Sequence, residues 1–231
     1  VLDEKIIIII IIKKLNMCEI HNEIQVIQQA YSDKKPLIIF DVGACNFHDS
    51  INLKHAFPHS EVYSFEPSLW NLNTYQTEAE RRGIRVAPVA ISNKDDITTF
   101  YNSPTHNGSG STLKPVVKDG TSEMINHDGL LFNLEGYEVQ TVRLDTFCEL
   151  NNIPHIDYLH MDVQGAEELV VKGLGSLRPG FIFAETCEFD SYKSGTTLEA
   201  FEQLLFDMGY SIVNRFKDDT LYKHTSTFPT F

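Results

Sequence analysis

The sequence has no apolar stretch approaching the roughly 20 residues that a membrane-spanning helix needs. Its one uninterrupted aliphatic run, Ile6–Ile12, is seven residues long and lies between Glu4-Lys5 and Lys13-Lys14. That run also lacks the small-residue cleavage site of a signal peptide. Three readings of it stay open: an N-terminal β-strand, an apolar helical turn, or a stretch foreign to the natural chain. No function is placed on it. Cysteine is sparse: Cys18, Cys45, Cys148 and Cys187 lie far apart and form no C-x-x-C pair. This excludes a zinc framework or a disulfide scaffold and sets a reducing, cytoplasmic location as the expectation. Basic residues are few. Against 32 Asp+Glu stand 19 Lys+Arg, a net charge of −13, and such a surface repels phosphodiester backbones and anionic lipid. Nucleic acid and membrane are therefore poor partners, and a small-molecule or peptide acceptor suits the chain better.

What is present reads as a globular protein. The 231 residues, 42% hydrophobic and 22% charged, can bury a core without staples. Leu15, Ile20, Ile24 and Ile27 recur at helical spacing, so residues 1–36 are read as an extension with a leading helix. Strands and helices then alternate from residue 37 to residue 231. Leu37–Phe40 is an apolar run typical of a strand buried on both faces, followed by a helix over Asp49–Phe57 that Pro58 closes. Glu61–Glu66 is a second strand, with a helix after Pro67 reaching Arg82, and Ile84–Ala90 a third. Ile97–Tyr101 is a short extra strand, and residues 102–136 a Gly/Ser-rich insert without a defined pattern. Further strands are expected at Tyr137–Leu144, Ile156–Val163, Phe181–Glu185, Tyr210–Asn214 and Leu221–His224, with helices at Ala166–Leu174 and Leu198–Met208. This order predicts an α/β, doubly wound and mostly parallel sheet with helices on both faces.

Ligands of such sheets bind beyond the carboxyl ends of the strands. Three strands end there in an acid: Asp41, Glu66 and Asp162. A carboxylate after the second strand is the expected partner of a ribose diol, and Gly43 lets backbone approach a ligand closely. The dinucleotide fingerprint G-x-G-x-x-G is missing, because Cys45 and His48 stand where its glycines would be. A pyrophosphate cofactor, and with it a nicotinamide-dependent oxidoreductase, is disfavoured. A phosphate-free nucleoside is favoured, of which S-adenosylmethionine is the common example.

The order Asp41-Val42-Gly43-Ala44, Phe65-Glu66-Pro67, Val142-Arg143-Leu144-Asp145, Ile156-Asp157 and Met161-Asp162-Val163-Gln164-Gly165-Ala166-Glu167 resembles the FkbM family of S-adenosylmethionine-dependent methyltransferases. The resemblance covers about Leu37 to His224. It implies a Rossmann-like, seven-stranded class I methyltransferase sheet whose last strand is antiparallel. It implies that Asp41 and Gly43, with Ala44, line the methionine end of the cofactor. Glu66, with Pro67, would hold the ribose. Ala90-Ile91-Ser92 would lie near the adenine and Asp162 beside the transferring methyl. Gly108-Ser109-Gly110-Ser111 is similar to the family's Gly/Ser turn before a variable substrate-side insert. Two departures stand out. Phe47 occupies the place of a second glycine, with Cys45 where Asn is frequent, and His160 replaces a Lys ahead of the D-V-Q-G-A-E motif.

Methyl transfer is an in-line displacement, and a hydroxyl acceptor needs a base within hydrogen-bond reach. Asp162 is the first candidate for that base or for positioning the acceptor. His160, two residues earlier on the same strand face, is the second catalytic candidate. Asp162, Glu185 and Glu188 could together bind a divalent cation through oxygen. Cys45 at a helix N-terminus is a candidate reactive thiol, with plain packing as the alternative. O-methylation of a sugar or secondary metabolite leads the functional readings. N-methylation of an amide or amine, peptide side chains included, and a non-catalytic nucleoside-binding module are the alternatives.

Overall fold

The computed structural model describes residues 23–31, 36–103, 110–114, 136–186 and 196–226. Ile6–Ile12, Leu15, Ile20, Cys18, Cys187, Glu188, Gly108, Ser109 and most of the insert lie outside them. Val1–Lys35 and Pro36–Phe231 are separate compact units. In the first, residues 23–30 are helical (α1).

The second unit is built on a seven-stranded sheet. Its strands are β1 (Ile38–Val42), β2 (Glu61–Phe65), β3 (Ile84–Ala87), β8 (Tyr158–Met161), β9 (Phe181–Glu185), β10 (Tyr210–Arg215) and β11 (Asp219–His224), in the spatial order β10-β11-β9-β8-β1-β2-β3. Pairs β1–β2, β2–β3, β1–β8 and β8–β9 are parallel, whereas β11 runs antiparallel to both neighbours. The order reverses between β1 and β8, which makes their carboxyl ends the ligand-binding crevice. The expected α/β sheet with an antiparallel last strand is present.

Helices α2 (His48–Ala56), α3 (Leu69–Arg81), α5 (Glu167–Lys172) and α6 (Leu198–Asp207) follow β1, β2, β8 and β9 respectively. Their ends follow from side-chain chemistry. Ser68 and Thr197 cap α3 and α6 by accepting from the amides of Asn71 and Ala200, which satisfies donors that the helix itself leaves open. In α2, Asp49 in the first turn and Lys54 and His55 in the last turn oppose the helix dipole correctly. The central strands are buried on both faces, and Phe40, Phe65 and Phe147 interlock beneath the crevice with ring centroids 4.8–5.9 Å apart.

A second sheet was not anticipated. It contains β4 (Ala90–Ile91), β5 (Asp96–Asn102), β6 (Gly110–Ser111) and β7 (Tyr137–Val142), ordered β4-β7-β5-β6. The strand expected over Ile84–Ala90 ends at Ala87 because Pro88 has no N–H to continue the ladder. Ala90 and Ile91 pair with Thr141 and Val142 instead. Residues from Leu144 onward form helix α4 (Leu144–Leu150) rather than the end of a strand. Arg143 anchors this junction: its guanidinium grips Asp145 at 2.5 and 2.8 Å and the carbonyl of Asn93, and its N–H donates to Asp95. Among the described residues, no helix is long and apolar enough to cross a membrane.

Candidate active site

The crevice opens where β1 runs into Gly43. This residue has φ +87°, and a Cβ placed on it would lie 1.8 Å from the carbonyl oxygen of Asp162. Only glycine lets the ends of β1 and β8 pass this closely. The loop beyond Gly43 is left-handed at Cys45 (φ 48°) and Phe47 (φ 61°). Glycine adopts such a backbone without strain, and a side chain does not. Here the strain, about 1–3 kcal/mol for such a residue, is offset by complete burial of the Phe47 ring, which contributes a similar amount.

Glu66 sits just beyond β2, buried at 3% exposure. Its Oε2 accepts the N–H of Cys45 at 2.7 Å, its Oε1 accepts the N–H of Ser68 at 2.7 Å, and the Asn71 side chain also donates to it. Burial pushes its carboxyl up to about 7, against the pull of these donors. Glu66, Pro67 and Asn71 line a cavity that is open to solvent. Phe65, Val89, Ala90, Ile91 and Phe100 supply apolar surface, and Gly43, Asp162, Val163 and Ala166 also line the cavity. Gly110, Ser111 and Thr112 complete the lining. The Oγ1 of Thr112 is buried without a hydrogen-bond partner.

Not every strand-end acid faces this cavity. Asp41, expected at the cofactor, does not line it. Its Oδ1 meets His160 Nδ1 at 2.8 Å, and its Oδ2 accepts from Ser50 Oγ, which in turn contacts Ser64 Oγ at 2.7 Å. The pairing is dictated by register, since Asp41 lies directly opposite His160 across β1 and β8. Ala44 and Ser92 also stay outside the lining. Ala44 donates its N–H to Phe65, and Ser92 to Val142. Gly43, Glu66, Pro67, Ile91 and Asp162 do line it, together with Cys45, Asn71, Phe100 and Thr112, for which the sequence reading gave no cofactor role.

His160 emerges as a cation rather than a base. Its ring stacks on Phe183 with centroids 5.6 Å apart and an interplanar angle of 13°. Burial pulls its pKa down, but the bond to Asp41 and the charges of Asp41, Asp49 and Asp162 outweigh this and push it up to about 10. An imidazole protonated at neutral pH cannot accept a proton from substrate. The Cys45 thiol is likewise unsuited to nucleophilic work, because burial and the charges of Glu66 and Asp162 push it up to about 11.

Asp162 is exposed at the cavity's end. Its Oδ1 accepts from Gln164 Nε2 at 2.7 Å, and the same nitrogen donates to Glu185 Oε2 at 2.9 Å. Gln164 (φ 54°) and Gly165 (φ 90°) turn the chain sharply. The buried Oε1 of Glu167 holds that turn, accepting from Val163 N at 3.1 Å and Gly165 N at 3.3 Å. Asp219 stands opposite Glu185 across β9 and β11. Burial, with Asp162 adding to it and His160 opposing, pushes Asp219 up to about 6. Among the described residues no group of three His, Cys, Asp or Glu side chains could hold a metal ion. The Gln164 amide joins Asp162 to Glu185 directly, and Glu188 lies outside the described residues.

These residues fit a nucleoside that bears a positive charge. A buried carboxylate is available for a ribose diol, an apolar wall for a flat base and Asp162 for a cation, while the lining contains no Lys, Arg or His that would favour phosphate. Comparison with known proteins agrees with this chemistry. Residues 41–212 match the methyltransferase FkbM domain. The chain is 26% identical over 210 residues to 2-O-methyltransferase NoeI of Sinorhizobium fredii (strain NBRC 101917 / NGR234), covering 84% of this chain and 82% of that protein. It is 30% identical over 177 residues to Methyltransferase 1 of Beauveria bassiana (strain ARSEF 2860), covering 70% and 68%. Among solved structures it is similar to a precorrin-6Y C5,15-methyltransferase from Geobacter metallireducens GS-15, with 12% identity, a TM-score of 0.45 and coverage of 86% and 84%. The chain belongs to the FkbM family, and it is an S-adenosylmethionine-dependent methyltransferase.

Proposed function

We propose that this enzyme methylates a hydroxyl of a small acceptor, a sugar or another hydroxylated metabolite. The observation that carries the proposal is the placement of Asp162. Unlike Asp41 and Glu66 it is exposed, it lines the cofactor cavity, and its bond from Gln164 engages Oδ1. A carboxylate there accepts a hydrogen bond from an incoming hydroxyl and takes up its proton as the oxygen becomes nucleophilic. Glu185, held beside it through Gln164, offers a second acceptor for a neighbouring hydroxyl of a polyol. Similarity to a 2-O-methyltransferase supports an oxygen acceptor.

S-adenosylmethionine, when bound, supplies an electrophilic methyl group. The chain's own residues do the positioning: Glu66 takes the ribose, the close pass of Gly43 against Asp162 fixes the depth of the methionine end, and the apolar wall takes the base. Alignment of this kind can provide a large share of the rate. The acidic surface is consistent with a neutral small molecule rather than a nucleic acid or membrane as partner.

The test is transfer of labelled methyl from S-adenosylmethionine to a panel of mono- and oligosaccharides, hydroxylated metabolites, amines and peptides. Products are assigned by the chemical shift of the new methyl carbon. O-methyl products are expected. Transfer confined to nitrogen would replace the hydroxyl reading, and tight cofactor binding without transfer to any acceptor would leave a nucleoside-binding module.

A further inference from the structure

We propose that Thr112 reads the nucleoside half of the cofactor, its Oγ1 forming a hydrogen bond to the adenosine moiety; the inference rests on the S-adenosylmethionine reading of the cavity. A buried hydroxyl with no partner has lost its water and gained nothing in exchange, so a native protein keeps one where a ligand completes it. Thr112 Oγ1 is such a group, and Thr112 lines the cavity. Its neighbour does not share this state, because Ser111 Oγ accepts the N–H of Leu113 at 3.0 Å.

The placement of Thr112 follows from the second sheet. β6 pairs with the end of β5 through Tyr101↔Ser111 and Asn102↔Gly110. Gly110 lies against the ring of Phe100, where a Cβ would be 2.4 Å from Cζ. The missing side chain therefore lets β6 lie flat on a phenyl ring that is itself part of the cavity wall. Phe100 clusters with Ala90, and Tyr137 from the same cluster hydrogen-bonds to Ser68, the residue whose amide holds Glu66. Thr112 thus belongs to the apolar wall and the Glu66 shoulder, the nucleoside side of the cavity. Gly43 and Asp162, where the methionine end is placed, come from other elements.

The test uses the full chain and two substitutions. Thr112→Val keeps the shape of the side chain and removes the hydroxyl, while Thr112→Ser keeps the hydroxyl. Calorimetric affinities for S-adenosylmethionine, S-adenosylhomocysteine and 5′-methylthioadenosine are compared, with melting curves of the unliganded proteins confirming the fold. Thr112→Val is expected to weaken all three ligands by the same factor, about three- to tenfold, the range of one neutral hydrogen bond. Thr112→Ser should bind like the parent protein. Equal affinity of Thr112→Val and parent would overturn the inference, as would a loss confined to the two ligands that carry the amino-acid end. Failure of the parent protein to bind any of the three ligands would instead overturn the cofactor reading itself.

Discussion

Replacing Glu66 by Gln tests the cofactor site most directly, because the substitution preserves size and changes only charge and donor pattern. In the parent protein the carboxylate accepts two backbone amides at 2.7 Å each and the Asn71 side chain, and Glu66 lines the cavity. Gln presents an NH₂ where one amide N–H already points, and it cannot accept both ribose hydroxyls. Losing a charge-assisted hydrogen bond costs about 1.5–3 kcal/mol, or roughly a 10- to 150-fold loss of cofactor affinity. The effect must also depend on pH. Hydroxyl donors bind the ionised carboxylate, and burial has pushed Glu66 up to about 7. About a tenth of it is ionised at pH 6 and about nine-tenths at pH 8, so the parent's affinity should rise about tenfold across that interval. The ligand's own α-amino group titrates near pH 8, but it does so equally with both proteins. The ratio of parent to variant affinity therefore isolates Glu66. Titration calorimetry at pH 6, 7 and 8 measures it. A variant that binds as tightly as the parent at pH 8, or two curves that run parallel with pH, would refute the ribose assignment.

Asp162→Asn should slow single-turnover methyl transfer by about 100-fold or more, the scale of general-base catalysis, and weaken cofactor binding far less than that; equal rates would remove Asp162 from the chemistry. Glu167→Ala leaves the N–H groups of Val163 and Gly165 without their buried acceptor, at about 1–3 kcal/mol each. Urea denaturation should show a loss of about 2–6 kcal/mol, and an unchanged midpoint would mean that the turn needs no such brace. For His160 the folded pKa is pushed above the ordinary 6.5 to about 10. Its stabilising effect is therefore fully present below pH 6.5 and is lost as pH rises through 10. His160→Gln should cost about 3–5 kcal/mol at pH 6, as when a buried ion pair loses one partner. The gap to the parent, followed by denaturant titration, should close towards pH 10; a constant gap would show that charge is not what His160 contributes.

Much of the fold could be read from the chain because each central strand is a short apolar run ending in an acid, with a helix behind it. The placement of Glu66 and Asp162 along the crevice could be read for the same reason. Asp41 carries the same local signature but faces elsewhere, and nothing near it in sequence says so. Its partner lies 119 residues away and becomes its neighbour only when β1 and β8 align. The second sheet was hidden differently. Pro88 visibly ends a strand, yet the two residues it releases, Ala90 and Ile91, find their partners only at Thr141 and Val142. Thr112 carries no pattern at all. Its role depends on Gly110 lying against Phe100, a contact that neither periodicity nor composition encodes. The missed helix α4 is seven residues long and follows β7 after the single residue Arg143, so a period of two ran on into it.

The same geometry explains how an acidic site remains folded and still suits a cationic ligand. Asp41, Asp49, Asp162 and Asp219 all act on one another or on His160 at one end of the sheet. Like charges gathered this way disfavour one another's ionisation, and the upward shifts of Asp49 and Asp219 record that, with burial as the larger cause. His160 is the counter-charge that lets them coexist. It is bound to Asp41 and stacked on Phe183, and it is absent from the cavity lining. The protein's cation is thus committed to its own carboxylates. The cavity lining has no basic side chain, and its carboxyl groups are those of Glu66 and Asp162. A sulfonium entering between them meets favourable charge without displacing a basic side chain. Methyl transfer converts that sulfonium to a neutral thioether, so the attraction holding the donor is not available to hold the product, and the site's charge favours exchange of spent cofactor for fresh.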